Sequence, residues 1–284
     1  MLNNVRRQRI FWPLCALLCA LLMQTVSAAG VPPKPNQAFF PSASDKQYKK
    51  SGAVIDYGNG FNGYVMVKYT KSGNKRIKCV VTKDDETYQY DIPRDGEFVV
   101  LPLQMGSGSY KIAIYEQVKG TKYSAKASYT VKAKIDSKYI PYLYPNQYVN
   151  YTPDSRAVAK SKELCEGLET ERAKYDAIWE FCTEKITYHY IRAMEVSSGS
   201  STGGYLPDID ETLREGLGIC FDYAALMACM LRTQSIPTQL VIGNADNQYH
   251  AWNRVMLDGE WVRADATYGA TGSIASEYTE ERRY

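Results

Sequence analysis

Short segments in which apolar and polar residues alternate dominate residues 52–135. They cover 63–70, 76–82, 87–92, 97–103, 109–117 and 122–134, and Ser72-Gly73-Asn74, Asp95-Gly96, Gly106-Ser107-Gly108 and Lys119-Gly120 punctuate them. Strands at this spacing predict an all-β sandwich of Ig-like type over 51–136. Tyrosine is abundant there (Tyr64, Tyr69, Tyr88, Tyr90, Tyr110, Tyr115, Tyr123 and Tyr129 on the strand segments), a residue suited to half-buried strand positions. Beyond 136 the period changes to that of helices. Thr152 followed by Pro153 is a start signal and Gly167 a stop. A second helix carries Ala173, Ala177, Ile178, Phe181 and Cys182 on one face. Residues 188–204 lose periodicity and end in SSGSSTGG, which predicts an exposed loop with His189 as a surface residue at its start. A strongly apolar helix runs from Phe221 to Arg232. The strand from Tyr249 to Leu257 is then followed by Asp258-Gly259, a favoured two-residue hairpin turn, and by the strand from Trp261 to Asp265. Residues 137–284 therefore predict an α+β unit, whose polar end, 273–284, has no assignment beyond a last strand or tail.

The two ends of the leading segment read differently. Arg6, Arg7 and Arg9 precede an apolar run from Ile10 to Met23, and Val26-Ser27-Ala28 supplies small residues for cleavage. Residues 1–28 thus read as a signal peptide, the run being short for a bilayer span of ~20 residues. The expectation is a secreted or cell-surface protein without a retained span. Residues 29–50, with Pro32, Pro33 and Pro35, read as a linker. Removing the three arginines of 1–28 takes the formal net charge from +3 to zero. Bulk charge then favours neither nucleic acid nor an anionic membrane as partner.

Five cysteines follow residue 28: Cys79, Cys165, Cys182, Cys220 and Cys229. The odd number leaves at least one thiol unpaired. No CxxC pair occurs and the chain has only two histidines, so neither a metal site nor a cofactor is expected. In an antiparallel helical hairpin Cys182 would overshoot Cys165 by roughly 15 Å, beyond the about 7 Å between Cα atoms that a disulfide spans. The cysteines other than Cys220 read as buried thiols.

Cys220 is different because Gly218 precedes it and a helix follows. A thiol in the first helical turn faces unpaired N–H groups and the positive end of the helix dipole, which favour a thiolate and can donate to an oxyanion. Cys229, nine residues on, points to the opposite side of that helix. The base available to Cys220 is His250. With Asp258-Gly259 as the turn, Leu257 pairs with Glu260, His250 faces Thr267 and Trp252 faces Asp265. His250 and Asp265 then share a sheet face as diagonal neighbours. A carboxylate there fixes the imidazole tautomer and leaves the other nitrogen for the thiol. Cys220, His250 and Asp265 are the candidate catalytic residues.

The run GICFDYAALMACMLRTQSIPTQLVIG, then YHAWNRV, then DGEWVRADAT, resembles the transglutaminase-like superfamily, common among secreted bacterial proteins. The matching positions are Gly218, Cys220, His250, Trp252, Asp265 and Thr267, with Ala266 where the family pattern has proline. The resemblance covers roughly 152–269. It implies a papain-like catalytic arrangement in an α+β core and a thioester intermediate formed from a peptide or glutamine-type amide. It also makes an Ig-like β-domain ahead of the core a familiar pairing. A protein or peptide, a cell-envelope component among them, is the expected partner. Three outcomes stay open: hydrolysis as a cysteine peptidase or amidase, which is favoured; protein cross-linking by a transglutaminase; and a binding or scaffold protein with an idle triad.

Overall fold

The structure, a computed structural model, describes residues 39–198 and 204–284. The signal segment 1–28, residues 29–38 of the linker stretch and residues 199–203 of the Ser/Gly run lie outside the described residues.

Two four-stranded antiparallel sheets make up the first half. Strands β1 (Gln47–Lys50), β2 (Ala53–Asp56), β3 (Tyr64–Tyr69) and β6 (Val99–Pro102) form one in the order β1-β2-β3-β6. Strands β4 (Ile77–Lys83), β5 (Glu86–Ile92), β7 (Gly108–Lys119) and β8 (Lys122–Ala133) form the other in the order β5-β4-β7-β8. Period-2 burial explains them: in β4 Ile77, Cys79 and Val81 are buried while Lys78, Val80 and Thr82 are not. Their inner faces share one apolar cluster in which Ile55, Val65 and Val67 meet Cys79, Ile112 and Ile114. Composition assigns 47–50 to the linker, but these residues pair with β2 as an edge strand. Edge strands need no apolar alternation, so Gln47, Tyr48, Lys49 and Lys50 carry no strand signal of their own. Of the strand tyrosines, Tyr64, Tyr69, Tyr88, Tyr90 and Tyr110 are buried, as strand packing requires.

The second half is α+β. Helices α1 (Arg156–Leu164) and α2 (Glu171–Lys185) lead to the short strand β9 (Thr187–Tyr188) and then to α3 (Tyr190–Ser197). Helix α4 (Ile209–Glu215) precedes the short strand β10 (Leu217–Gly218), which pairs parallel with β9. Helix α5 (Cys220–Thr233) is followed by β11 (Thr238–Ala245), β12 (Gln248–Leu257), β13 (Glu260–Ala264), α6 (Ala266–Thr271) and β14 (Tyr278–Arg283). The last sheet runs β13-β12-β11-β14 and is antiparallel throughout.

Helix α5 is buried along its whole length. It packs on β11 and β12 and is surrounded by α1, α2, α4 and α6. A helix apolar on every side belongs in a core, and this one is the axis around which the second half is built. Its one buried cation, Arg232, is satisfied by main-chain oxygens. The guanidinium donates to Thr238 O at 2.9 and 2.8 Å, to Tyr144 O at 2.7 Å and to Tyr284 O at 2.7 Å. Full burial depresses the Arg232 pKa to about 10, so those acceptors are what keep a cation tolerable there.

Aromatic contacts join the halves. Tyr148 packs on Phe221 at 6.0 Å between centroids and on Tyr284 at 4.0 Å, and Tyr284 meets Tyr88 and Tyr90 of β5. The Gln147 side chain adds two bonds to the main chain of Asp91, and the buried clusters of both halves are continuous.

Candidate active site

Cys220 is the first residue of α5, and the chain enters from β10 through Ile219 in an extended conformation. Gly218 permits the entry: a Cβ there would sit 2.9 Å from the Asp222 side chain and 3.3 Å from that of Thr212. Asp222, fully buried, accepts the N–H of Ile219 at 2.8 Å through Oδ2 and the hydroxyl of Tyr205 at 2.7 Å through Oδ1. Arg192 of α3 approaches Oδ2 at 3.8 Å. Burial pushes the Asp222 pKa up, and the Ile219 and Tyr205 bonds and the Arg192 charge oppose it. Asp222 at the third helical position thus takes the N–H of the N-cap residue, the half of a capping box that does not need a side-chain oxygen at Ile219.

His250 lies on β12, opposite Gly243 of β11. Register between β12 and β13 follows the expected two-residue turn: Leu257 pairs with Glu260, Arg254 with Arg263 and Asn253 with Ala264. The ladder stops there, one residue earlier than alternation predicts. Asp265 is the N-cap of α6, its Oδ1 accepting Tyr268 N–H at 3.1 Å, and Thr267 is helical instead of facing His250 across a strand pair. Asp265 is an N-cap residue by nature, and its local bond competes successfully with one more ladder position. The cap turns the carboxylate onto the ring all the same: His250 Nε2 and Asp265 Oδ2 are 2.7 Å apart, both side chains buried.

Because Nε2 is engaged, Nδ1 is the nitrogen left for the thiol. Burial by itself lowers the His250 pKa. Hydrogen bonding to Asp265 and Cys220, together with their charges, outweighs it and lifts the group to about 9. Asp265 and Cys220 therefore act on the same ring and favour its charged form. The Cys220, His250 and Asp265 residues are 8 %, 5 % and 8 % exposed, so the constellation is largely screened from water.

Several further residues hold it. The His250 ring stacks on Tyr268 at 4.6 Å and lies nearly parallel to Trp252 at 6.1 Å. Asn253 Nδ2 donates to Ala224 O of α5 at 3.0 Å and to Gln239 O of β11 at 3.2 Å, tying the helix that carries the cysteine to the sheet that carries the histidine. Tyr188, Tyr249 and Tyr268 each lie near enough to Cys220 to interact with it electrostatically. Tyr249, with Tyr190, Ile191 and Met194 of α3, is exposed. Helix α3 replaces part of the expected loop, and His189 caps it, Nδ1 accepting Arg192 N–H at 3.1 Å. His189 has a local role apart from the cysteine.

The other four cysteines are free and buried among the described residues. Burial pushes their thiols up, Cys165 to about 11 and Cys182 to about 12, with Cys79 and Cys229 higher. Among the described residues no cluster of three or more His, Cys, Asp or Glu could hold a metal ion.

Residues 158–266 match the family model of the transglutaminase-like superfamily. No curated protein matches the chain. Among solved structures the chain is similar to a candidate cysteine protease from Cytophaga hutchinsonii, at 16% identity over 78% of this chain and 91% of that one, with a TM-score of 0.37. It is similar to the periplasmic domain of TgpA from Pseudomonas aeruginosa at 13% identity, over 79% and 96% of the two chains, with a TM-score of 0.34. A structure of a TGase is 19% identical over 55% of this chain and 45% of that one, with a TM-score of 0.36. All three likenesses are distant.

Proposed function

We propose, for a chain whose residues 158–266 are a transglutaminase-like superfamily domain, that Cys220, His250 and Asp265 are a catalytic triad for acyl transfer from peptide or glutamine-type amides. The observation that carries this reading is the buried 2.7 Å bond between His250 and Asp265, on a ring whose charged form Cys220 also supports. In this reading the Cys220 sulfur attacks the amide carbonyl carbon, and the His250 imidazolium gives its proton to the departing amine. The N–H of Cys220, at the first position of α5 where the helix supplies no acceptor to it, donates to the oxyanion. The product is a thioester on Cys220. Neutral His250 then takes a proton from water as its oxygen attacks the thioester carbonyl, and the carbon–sulfur bond breaks to release the acid and restore the Cys220 thiolate beside the His250 imidazolium.

Water is the acceptor here because it needs no second binding site, only access to the thioester. Asp265 holds the imidazole and stabilises its charge. The exposed Tyr249, Tyr190, Ile191 and Met194 offer apolar support to a peptide lying past the thiol. The export pattern of residues 1–28 supports a site of action outside the cytoplasm. Among the described residues no helix is long and apolar enough to cross a membrane.

Iodoacetamide at neutral pH tests the nucleophile. Cys220 is expected to react faster than a model thiol, while Cys79, Cys165, Cys182 and Cys229 stay unmodified in the folded protein. Reaction no faster than the model thiol would remove the enzyme reading. Mass spectrometry of a glutamine- and lysine-containing peptide library then decides the acceptor. New peptide termini or deamidated glutamine, absent with Cys220→Ala, support hydrolysis; amine incorporation or cross-links overturn it.

A further inference from the structure

Three donors from three elements converge on the Asp265 carboxylate. Oδ1 accepts the Tyr268 N–H of α6, while Oδ2 accepts both His250 Nε2 of β12 at 2.7 Å and the Tyr278 hydroxyl of β14 at 2.8 Å. Tyr278 lies twelve residues past the end of the family match at 266, on the strand that closes the sheet edge.

The fold brings this strand in closely. Tyr278 pairs with Ala245, and the register of the β11–β14 pair shifts between Ile242 and Gly243. A Cβ on Gly243 would overlap the Thr279 carbonyl oxygen and stand 3.0 Å from Trp252 Cη2, so only glycine lets β14 approach. The Tyr278 ring then meets Trp252 edge-on at 5.0 Å, with the Arg263 guanidinium 3.9 Å from its centroid on another side. Ring and hydroxyl are both held.

We infer that Tyr278 is a positioning residue for the Cys220–His250–Asp265 site: its hydroxyl, sharing Asp265 Oδ2 with His250, sets the rotation of the carboxylate and divides its charge. The inference rests on the triad reading. An sp² carboxylate oxygen has two in-plane acceptor sites, and here both are filled. Rotation about the Cβ–Cγ bond would break the bonds to His250 and Tyr278 together, in a place 8 % exposed where water is a poor replacement. The charge consequence has a definite sign. A carboxylate oxygen that also accepts from a phenol attracts the imidazolium less than one devoted to it.

The groups acting on this pair are Cys220 from α5, Tyr268 from α6 and Arg263 from β13, and Asp246 of the β11–β12 turn acts on Tyr268. Burial first, then Asp265, raises the Tyr278 pKa, against the opposing charge of Arg263. Tyr278 therefore stays a neutral donor while His250 titrates.

The chain has two histidines, so proton NMR of the ring signals follows His250 with His189 as an internal reference. In Tyr278→Phe the His250 midpoint is expected to rise by about half a pH unit while His189 stays in place. Tyr278→Leu, which also loses the ring, separates hydroxyl from packing. The inference expects the same midpoint in both variants and lower thermal stability in the leucine one. An unchanged or lowered midpoint in Tyr278→Phe overturns it, as does a shift that appears only when the ring is lost. Iodoacetamide reactivity of Cys220 in the parent protein tests the triad reading separately, because the titration does not depend on turnover.

Discussion

Asp222 accepts the main-chain N–H of Ile219 at 2.8 Å, and this bond closes the turn on which Cys220 stands. The same carboxylate takes the Tyr205 hydroxyl and faces Arg192, so residues on both sides of the 199–203 segment are fastened to the start of α5. Asp222→Ala would leave the Ile219 amide and the Tyr205 hydroxyl without their acceptor. The expected loss is about 2–4 kcal/mol in urea unfolding, the range for breaking a buried polar network. Slower alkylation of Cys220 should accompany it. Unchanged stability would mean that the turn holds without its cap.

The raised pKa of His250 gives stability a pH dependence whose sign is definite. The folded value, about 9, lies above the ordinary 6.5. The stabilisation is therefore fully present below pH 6.5 and is lost as pH rises through about 9. Its ceiling is on the order of 3 kcal/mol, since each tenfold gain in proton affinity is worth roughly 1.4 kcal/mol. Unfolding free energies of the protein and of His250→Gln, compared at pH 6 and pH 9.5, should differ more at the lower pH. A difference that grows toward high pH would contradict the ion-pair account.

Gly243→Ala tests the approach of β14. The added methyl overlaps the Thr279 carbonyl oxygen, which is main chain and cannot swing aside. The expected cost is about 1–3 kcal/mol in thermal or denaturant unfolding, as for other overpacked sites. The loss should be local in origin, seen as faster hydrogen exchange at β14 amides than at those of β12. Uniform exchange across both strands would place the strain elsewhere.

Much of this was legible along the chain because it depends on short-range chemistry. Alternation located β3 to β8 to within a few residues, and the Asp258-Gly259 turn set the β12–β13 register through Asn253 and Ala264. Helix α4 went unexpected although its ends are marked: Asp208 caps it by accepting Glu211 N–H at 2.9 Å, and Gly216 ends it at φ 64°. Those signals, Asp three residues before Glu and a closing glycine, sit in the sequence without an apolar stripe to draw attention to them. The edge strand β1 and the exposed helix α3 left weaker marks, because neither buries enough of one face to impose a period.

By itself the sequence determined the α+β core, the helix that opens at Cys220 and the presence of His250 and Asp265 close together, since turn and helix geometry act over a few residues. The tertiary structure alone decided how that closeness is achieved. Asp265 reaches His250 as a helix cap instead of a ladder partner, and Asn253 and Tyr278 join the site through contacts with distant elements that no local period connects. Tyr278 shows the reason most clearly. Its bond to Asp265 depends on β14 docking at Gly243, a contact across the sheet that leaves no repeat in the chain.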